Sequence, residues 1–260
     1  MSRAKLPEMT QSSKRDGDLS AGQGCGLSPG ARIMAAGLLI VIDGPAGAGK
    51  STVARRLAAH YGLPVLDTGA IYRALALVAR ERGVAWSDEA GLGALTADFP
   101  IRFVAAAEGQ QRVEFAGRDI TAEIRTPEIS DGASQVSAWP AVRRGLLEIQ
   151  RTLGAAGCVA EGRDLGTVVF PGASFKFFLT ADDRVRAARR QLDLAGTPTA
   201  AATAAEKPAL EQVLRDLKNR DERDQTRAAA PLVKAADAVA IDSTGLTADE
   251  VVQAIVAVVG

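Results

Sequence analysis

Residues 42–52 read IDGPAGAGKST. Three glycines surround the only cation of the stretch, Lys50, and a near-continuous apolar run, GLLIVID at 37–43, leads into it. Gly44-Pro45-Ala46-Gly47-Ala48-Gly49-Lys50-Ser51 has the spacing G-x-x-x-x-G-K-[ST]. It falls between a buried-strand pattern and a helical one, STVARRLAAHY at 51–61, which is the context that lets such a loop cradle phosphate. Glycine permits backbone conformations that turn successive N–H groups toward one anion, and the following helix adds its positive end. Lys50 would reach the β and γ phosphates and the Ser51 hydroxyl would contact Mg²⁺. Residues Gly44 to Ser51, with Thr52, are therefore expected to hold the phosphates of a nucleoside triphosphate. A glycine-rich strand-to-helix turn without function is the plainer alternative, and eight matching positions in the right context speak against it.

Outward from that loop, four further apolar runs of strand length recur: LPVLD (63–67), GCVAEG (157–162), SFKFFLT (174–180) and AVAIDS (238–243). They are continuous rather than alternating, as parallel strands covered on both faces require. Helical patterns lie between them: AIYRALALVARERG, AVRRGLLEIQRTLG, DDRVRAARRQLDL and ALEQVLRDLKNRDERDQTR. Alternation of this kind predicts an α/β fold, a doubly wound five-stranded parallel sheet. One segment breaks the pattern. Residues 99–121, FPIRFVAAAEGQQRVEFAGRDIT, read as short antiparallel strands with a turn near Gly109, a subdomain expected to stand off the main sheet. LAGTPTAAATAAEKPAL (194–210) reads as a mobile connector between helices.

Composition narrows the function classes. The 260 residues, 47% of them apolar, suit one large core, and 31 basic against 31 acidic side chains leave no broad cationic surface for nucleic acid. Cys25 and Cys158 lie far apart, with no CxxC and one histidine, so neither a disulfide framework nor a zinc site is indicated and a reducing cytoplasm fits. The apolar run ending at Ile42 is too short to span a bilayer, and no membrane association is expected. Residues 1–36, polar and without apolar periodicity, read as a disordered tail, with Met34 an alternative start of translation.

A phosphate loop says only that a nucleotide binds, so the acceptor must be read elsewhere. Asp67, Thr68, Tyr72 and Arg73 follow the second strand run, where α/β sheets bind ligands. Arg163 and Asp164 follow the third. Arg184, Arg186, Arg189 and Arg190 crowd the start of the helix after the fourth, and Arg220, Asp221, Glu222, Arg223, Asp224 and Arg227 form a last cluster. Taken alone, the last cluster reads as a solvated helix laced with ion pairs, and Arg73 as an ordinary exposed helix arginine. Three clusters at one sheet edge instead suit transfer between two nucleotides, where arginines clamp several phosphates.

IDGPAGAGKST, LDTGAIYRALAL, DITAEIRTPEISDGASQVSAWPAVR, EGRDLGTVVFP, RDERDQTRAAAPLVKAAD and IDSTGLT, in this order and spacing, resemble the bacterial cytidylate kinase family in its long form. The resemblance runs from about Leu38 to the C-terminus. It implies a P-loop nucleoside monophosphate kinase domain over 37–260, with an acceptor-binding insertion at about 69–138 and a lid at about 182–210. It implies transfer of the γ-phosphate of ATP, with Mg²⁺, to CMP or dCMP. Arg73, Arg163 and Arg227 resemble the acceptor-phosphate contacts, Arg220 and Asp224 the sugar contacts, and Ser134, Arg143 and Asp164 the cytosine readers. Thr68 stands where serine is common. Tyr72 joins the expected substrate site. Ser51 stands where some relatives have glycine, which weakens its claim to Mg²⁺. The acceptor is already an anion, so no catalytic base is nominated; Lys50, Arg163, Arg186, Arg190 and Arg227 are the expected catalytic groups. A cytoplasmic monomer is expected. Another small-molecule kinase, such as one acting on shikimate, would lack the Ser134, Arg143 and Asp164 set. A nucleotide-dependent switch would lack the Arg73, Arg163 and Arg227 clamp.

Overall fold

The computed structural model describes residues 37–105, 111–195 and 210–260. The tail, the turn near Gly109 and most of the expected connector lie outside them. Strand β1 (Leu39–Asp43) enters the phosphate loop, helix α1 (Lys50–Tyr61) leaves it, and β2 (Val65–Asp67) runs into α2 (Thr68–Glu81). After α3 (Glu89–Leu95) come β3 (Ile101–Ala105), β4 (Gln111–Phe115) and β5 (Arg118–Asp119), then α4 (Pro127–Val136) and α5 (Pro140–Gly154). Strands β6 (Cys158–Gly162) and β7 (Phe175–Thr180), helices α6 (Asp183–Ala195) and α7 (Leu210–Thr226), β8 (Val239–Asp242) and α8 (Ala248–Val259) complete the chain.

The five expected strand runs are β1, β2, β6, β7 and β8, and they form one sheet in the order β2-β6-β1-β7-β8 with every pairing parallel. Alternate residues point to opposite faces. Ile40, Ile42, Val159, Phe177 and Leu179 pack with Val53, Leu57, Val251 and Ile255 of α1 and α8. On the other face, Val41, Leu66 and Ala160 pack with Ile71, Leu75 and Leu146 of α2 and α5. Both faces are dry, which is why the sequence shows runs rather than alternation. The strand order reverses about β1, so the carboxyl ends of β1, β2, β6 and β7 open onto a common crevice.

Helix α8 was not singled out in the sequence, although its start is written there. Thr247 Oγ1 accepts from the Glu250 amide while Glu250 reaches back to the Thr247 amide, a capping box ahead of an apolar run.

The antiparallel segment forms its own sheet, β3-β4-β5. Ala116 (φ 50) and Gly117 (φ 81) make the tight turn between Phe115 and Arg118, two successive positive-φ residues of the kind a two-residue hairpin needs. The segment is separate from the main sheet, yet it shares a core with the helices on one face of that sheet. Phe99, Ile101, Val113 and Phe115 belong to the same core as α2, and the Gln111 amide donates to the Val65 carbonyl of β2 (2.8 Å). Period-two alternation leaves this small sheet with one apolar face, and that face joins the core that also holds α2.

Candidate active site

The phosphate loop is held from outside. When successive N–H groups turn inward, their carbonyls turn outward, and each buried carbonyl needs a donor. Arg163 Nη1 donates to the Gly44 carbonyl (2.9 Å) and Lys50 Nζ to that of Pro45 (2.7 Å). Arg186 Nη1 donates to the Ala46 carbonyl (2.9 Å) and Ser243 Oγ to that of Ala48 (3.2 Å). Two glycines are enforced by space as well as by φ. A Cβ on Gly44 would lie 2.0 Å from the Leu179 carbonyl oxygen, and one on Gly47 (φ +74) would lie 2.7 Å from that of Arg186.

Lys50 is 6% exposed; burial, with Arg163 and Arg220 nearby, pushes its ammonium down to about 7 despite Glu161 and Asp43. Asp43, at the end of β1, accepts from the amides of Leu165 (3.0 Å) and Gly166 (2.8 Å). Burial pushes it up to about 6 against those two bonds. It ties the phosphate loop to the wide turn Leu165–Val169 that follows Asp164.

Facing the loop across a cleft of about 520 Å³ are Arg73, Arg163, Arg190, Arg220 and Arg227. Arg73 pairs with Asp67 (2.7 Å) and Arg163 Nε with Asp224 (2.9 Å). Arg220 is different: burial and the like charges of Arg163, Arg73 and Arg190 push it down to about 10. Burial and Arg143 likewise lower Arg227. Asp224 is held low chiefly by Arg163 and Arg220 against the cost of its burial. Among the described residues, four buried side-chain polar atoms lack a partner, and three of them, Arg73 Nε, Arg220 Nε and Ser134 Oγ, belong to expected substrate contacts. Buried donors without acceptors, beside guanidiniums that repel one another, describe a site built for an anionic ligand.

At the far end, Asp164 accepts from Arg143 and, through its other oxygen, from Arg227 (3.3 Å). Arg143 also donates to the Ser137 carbonyl (3.1 Å) and lies 5.3 Å over the Tyr72 ring. Asp164 is 5% exposed and Arg143 8%, so this charge pair is buried in a pocket floored by an aromatic ring.

Of the sequence-predicted residues, Ala46 to Thr52, Thr68, Tyr72, Arg73, Arg143, Arg163, Asp164, Arg190, Arg220, Asp224 and Arg227 line the cleft. Gly44, Pro45, Ser134 and Arg186 do not. Ser134 sits in α4 behind Ala133 and Ser137, which do reach the wall. Arg186 is 5% exposed and lies behind the phosphate loop, with its guanidinium engaged by Asp183, Asp221 and the Ala46 carbonyl. It meets no transferring phosphate from there. Thr68 Oγ1 donates to the Glu161 carbonyl (2.8 Å), which fixes its hydroxyl at the cleft wall.

Glu161 and Asp43 stand outside the sequence-based expectations. Glu161 closes β6 and accepts from Ser51 Oγ (2.8 Å); burial and the nearby Asp67 carboxylate raise it. A hydroxyl and a carboxylate adjoining a phosphate loop are hard oxygen donors that leave coordination positions to phosphate and water, and that set fits Mg²⁺. Its only sequence signal was an acid inside an otherwise apolar strand run. The cleft continues past Arg189, which donates to Ser243 Oγ (2.9 Å), to Leu246, Thr247 and Ala248 before α8.

The sequence model of the family described as "Cytidylate kinase" matches residues 40–260. A cytidylate kinase of Saccharophagus degradans is 47% identical over 221 residues, 84% of this chain and 95% of the relative. Cytidylate kinases of Pseudomonas fluorescens (48%, covering 84% and 93%) and Pelotomaculum thermopropionicum (47%, covering 84% and 94%) are similar to the same extent.

Proposed function

The chain belongs to the cytidylate kinase family, ATP-dependent nucleoside monophosphate kinases, and from that premise we propose how its own residues move the γ-phosphate of ATP to CMP or dCMP. The observation that carries the reading is the pair of unpartnered buried donors, Arg73 Nε and Arg220 Nε, among mutually repelling guanidiniums that line the cleft with the phosphate loop.

The donor triphosphate lies in residues 44–52, its charge met by inward N–H groups and by Lys50. Ser51 and Glu161 would hold Mg²⁺, which when bound would offset charge on the phosphate oxygens. The acceptor phosphate sits against Arg73, Arg163 and Arg227, and the sugar against Arg220 and Asp224. Cytosine enters the pocket of Arg143 and Asp164, with Ser134 behind its wall: the carboxylate accepts from the exocyclic amine and the guanidinium donates to ring acceptors. Arg163 donates to the Gly44 carbonyl and pairs with Asp224, so one guanidinium spans the donor and acceptor halves. No base is required, because the attacking oxygen is already anionic. Catalysis is alignment and neutralisation of charge, with Arg190 at the lid end of the cleft and Lys50, Arg163 and Arg227 around the transferring group. We read the enzyme as a cytoplasmic monomer acting on small molecules, with neither nucleic acid nor membrane as partner; the even balance of charge supports this.

The test is steady-state turnover of ATP with CMP, dCMP, UMP, AMP and shikimate. CMP and dCMP are expected to have the highest kcat/KM, and preference for any other acceptor would overturn the assignment of the base pocket.

A further inference from the structure

Of the four loop carbonyls tied from outside, that of Ala46 belongs to a residue held on both sides. Its N–H donates to Asp221 Oδ1 (3.3 Å), and its carbonyl accepts from Arg186 Nη1 (2.9 Å). The same Arg186 nitrogen donates to Asp221 Oδ2 (2.5 Å), closing a ring through one loop residue and one side chain from each of α6 and α7. Arg186 Nη2 also donates to Asp183 (2.5 Å) and Nε to the Ala181 carbonyl (3.1 Å), so all three guanidinium nitrogens are engaged. Arg186 is 5% exposed and Asp221 7%. Around the ring, Ala46 packs with Ala187, Val213 and Leu217, and the Arg186 carbonyl lies against Gly47.

Stability alone does not account for an ion pair in that place. Well-packed apolar side chains of the same volume commonly hold two helices together as well as a buried pair does, because desolvation offsets the Coulombic gain. What apolar side chains cannot do is fix the direction of a peptide. Ala46 N–H and C=O are both oriented by this ring, and the Ala46 carbonyl shares its peptide plane with the N–H of Gly47, which lines the cleft. Rotating the Ala46 peptides would turn the Gly47 amide away from the anion it is meant to meet.

We propose that Asp221, acting with Arg186, is a positioning residue for the donor-phosphate loop, holding the Ala46–Gly47 backbone in its nucleotide-binding orientation. The proposal rests on the assignment of residues 44–52 to the donor phosphates. Neither side chain touches the reacting atoms in this arrangement, so the effect is confined to the donor. It differs from a purely structural role in what it predicts: donor binding weakens while acceptor binding does not.

Binding of ADP and of CMP to the full chain, each measured alone by titration calorimetry, separates the two. Asp221→Asn keeps the shape but removes the charge that orders Arg186, and the ADP Kd is expected to rise about five- to thirty-fold, the weight of one or two hydrogen bonds, with the CMP Kd within about two-fold. Arg186→Lys is the second variant. It keeps the positive charge beside Asp221 but has neither Nε nor Nη2, so it loses the bonds to the Ala181 carbonyl and Asp183 that hold the donor opposite Ala46, and the same ADP-selective loss is expected in a protein whose buried charges stay balanced. Combined in one chain, the two changes should weaken ADP no more than about two-fold beyond the worse single variant, because both break one ring. An ADP Kd unchanged in Arg186→Lys would overturn the proposal whether or not Asp221→Asn folds, and so would equal weakening of ADP and CMP. Lys50→Met guards the premise: if it leaves the ADP Kd unchanged, the loop does not bind the donor and the proposal falls with that assignment.

Discussion

Asp164→Asn probes the acceptor pocket hardest, because the carboxylate serves two guanidiniums at once. Its oxygens accept from Arg143 and Arg227, whose side chains are 8% and 3% exposed. Asparagine keeps the shape and one oxygen but turns a donor toward one of the two cations, and breaking a buried pair in this way costs about 3 kcal/mol or more. For a domain of this length that corresponds to a fall in Tm of roughly 6–12 °C. Arg227 also faces the acceptor phosphate in our reading, so kcat/KM should fall for every monophosphate.

Base choice shows in the ratio. A carboxylate oxygen pairs with the cytosine amine but meets the uracil carbonyl as a second acceptor, a mismatch of about 1–3 kcal/mol, or roughly 5- to 150-fold in kcat/KM. The asparagine amide can offer uracil a donor, so the CMP to UMP ratio should drop by about ten-fold or more on top of the general loss. A coupled ADP-release assay at saturating ATP, with each acceptor varied below its KM, gives both numbers. Arg163→Ala serves as control, since it should depress CMP and UMP together. If Asp164→Asn lowers both acceptors and leaves their ratio unmoved, Asp164 is an anchor for Arg143 and Arg227 and does not read the base.

Two further outcomes follow from the donor side. Burial pushes Lys50 down to about 7, so in the free enzyme at pH 8 only about a tenth of the ammonium is charged, whereas bound polyphosphate favours the charged form. ADP binding should then take up close to one proton at pH 8 and few at pH 6, read from calorimetry in buffers of different ionisation enthalpy, and Lys50→Met should abolish the difference; equal uptake at both pH values would refute a depressed Lys50. The unfolded chain binds more protons at this group between pH 7 and the ordinary lysine value, so its burial destabilises the free protein most at low pH, and Lys50→Met should raise Tm at pH 6 while lowering kcat by orders of magnitude. Gly44→Ala would place a Cβ 2.0 Å from the Leu179 backbone oxygen at φ +147 and should abolish ADP binding and lower Tm; a variant with wild-type Tm and ADP affinity would show that β1 and β7 can part there without consequence.

Short-range pattern determined much of this protein. A strand that must be buried on both faces shows itself as an apolar run, and all five runs are strands of one parallel sheet. The loop at 44–51 is legible because turning several amides inward needs glycine at set intervals, a requirement met within eight residues. The arginines at the strand ends were legible as a class for a similar reason: the carboxyl edge of such a sheet is where ligands meet it. Capping chemistry at Thr126, ahead of Pro127, and at Thr247 with Glu250 was written in the sequence too, and marks α4 and α8.

Tertiary structure alone decided which way each long side chain turns. Arg186 and Arg190 lie four residues apart in one charged segment, yet Arg190 lines the cleft while Arg186 turns behind the phosphate loop. The reason is the carbonyl of Ala46, 140 positions away, and the Asp221 carboxylate beside it. Glu161 became a neighbour of Ser51, and Asp43 a tether for the turn after Asp164, only when β1 and β6 paired in register. The small antiparallel sheet joined the main core for the same kind of reason: alternation says that one face must be covered, and only the folded chain brought that face to the core that holds α2. Backbone propensity and periodicity act over a few residues and are read along the chain. The partner of a buried charge or carbonyl is fixed by whichever group the fold brings within about 3 Å, and that distance exists only in three dimensions.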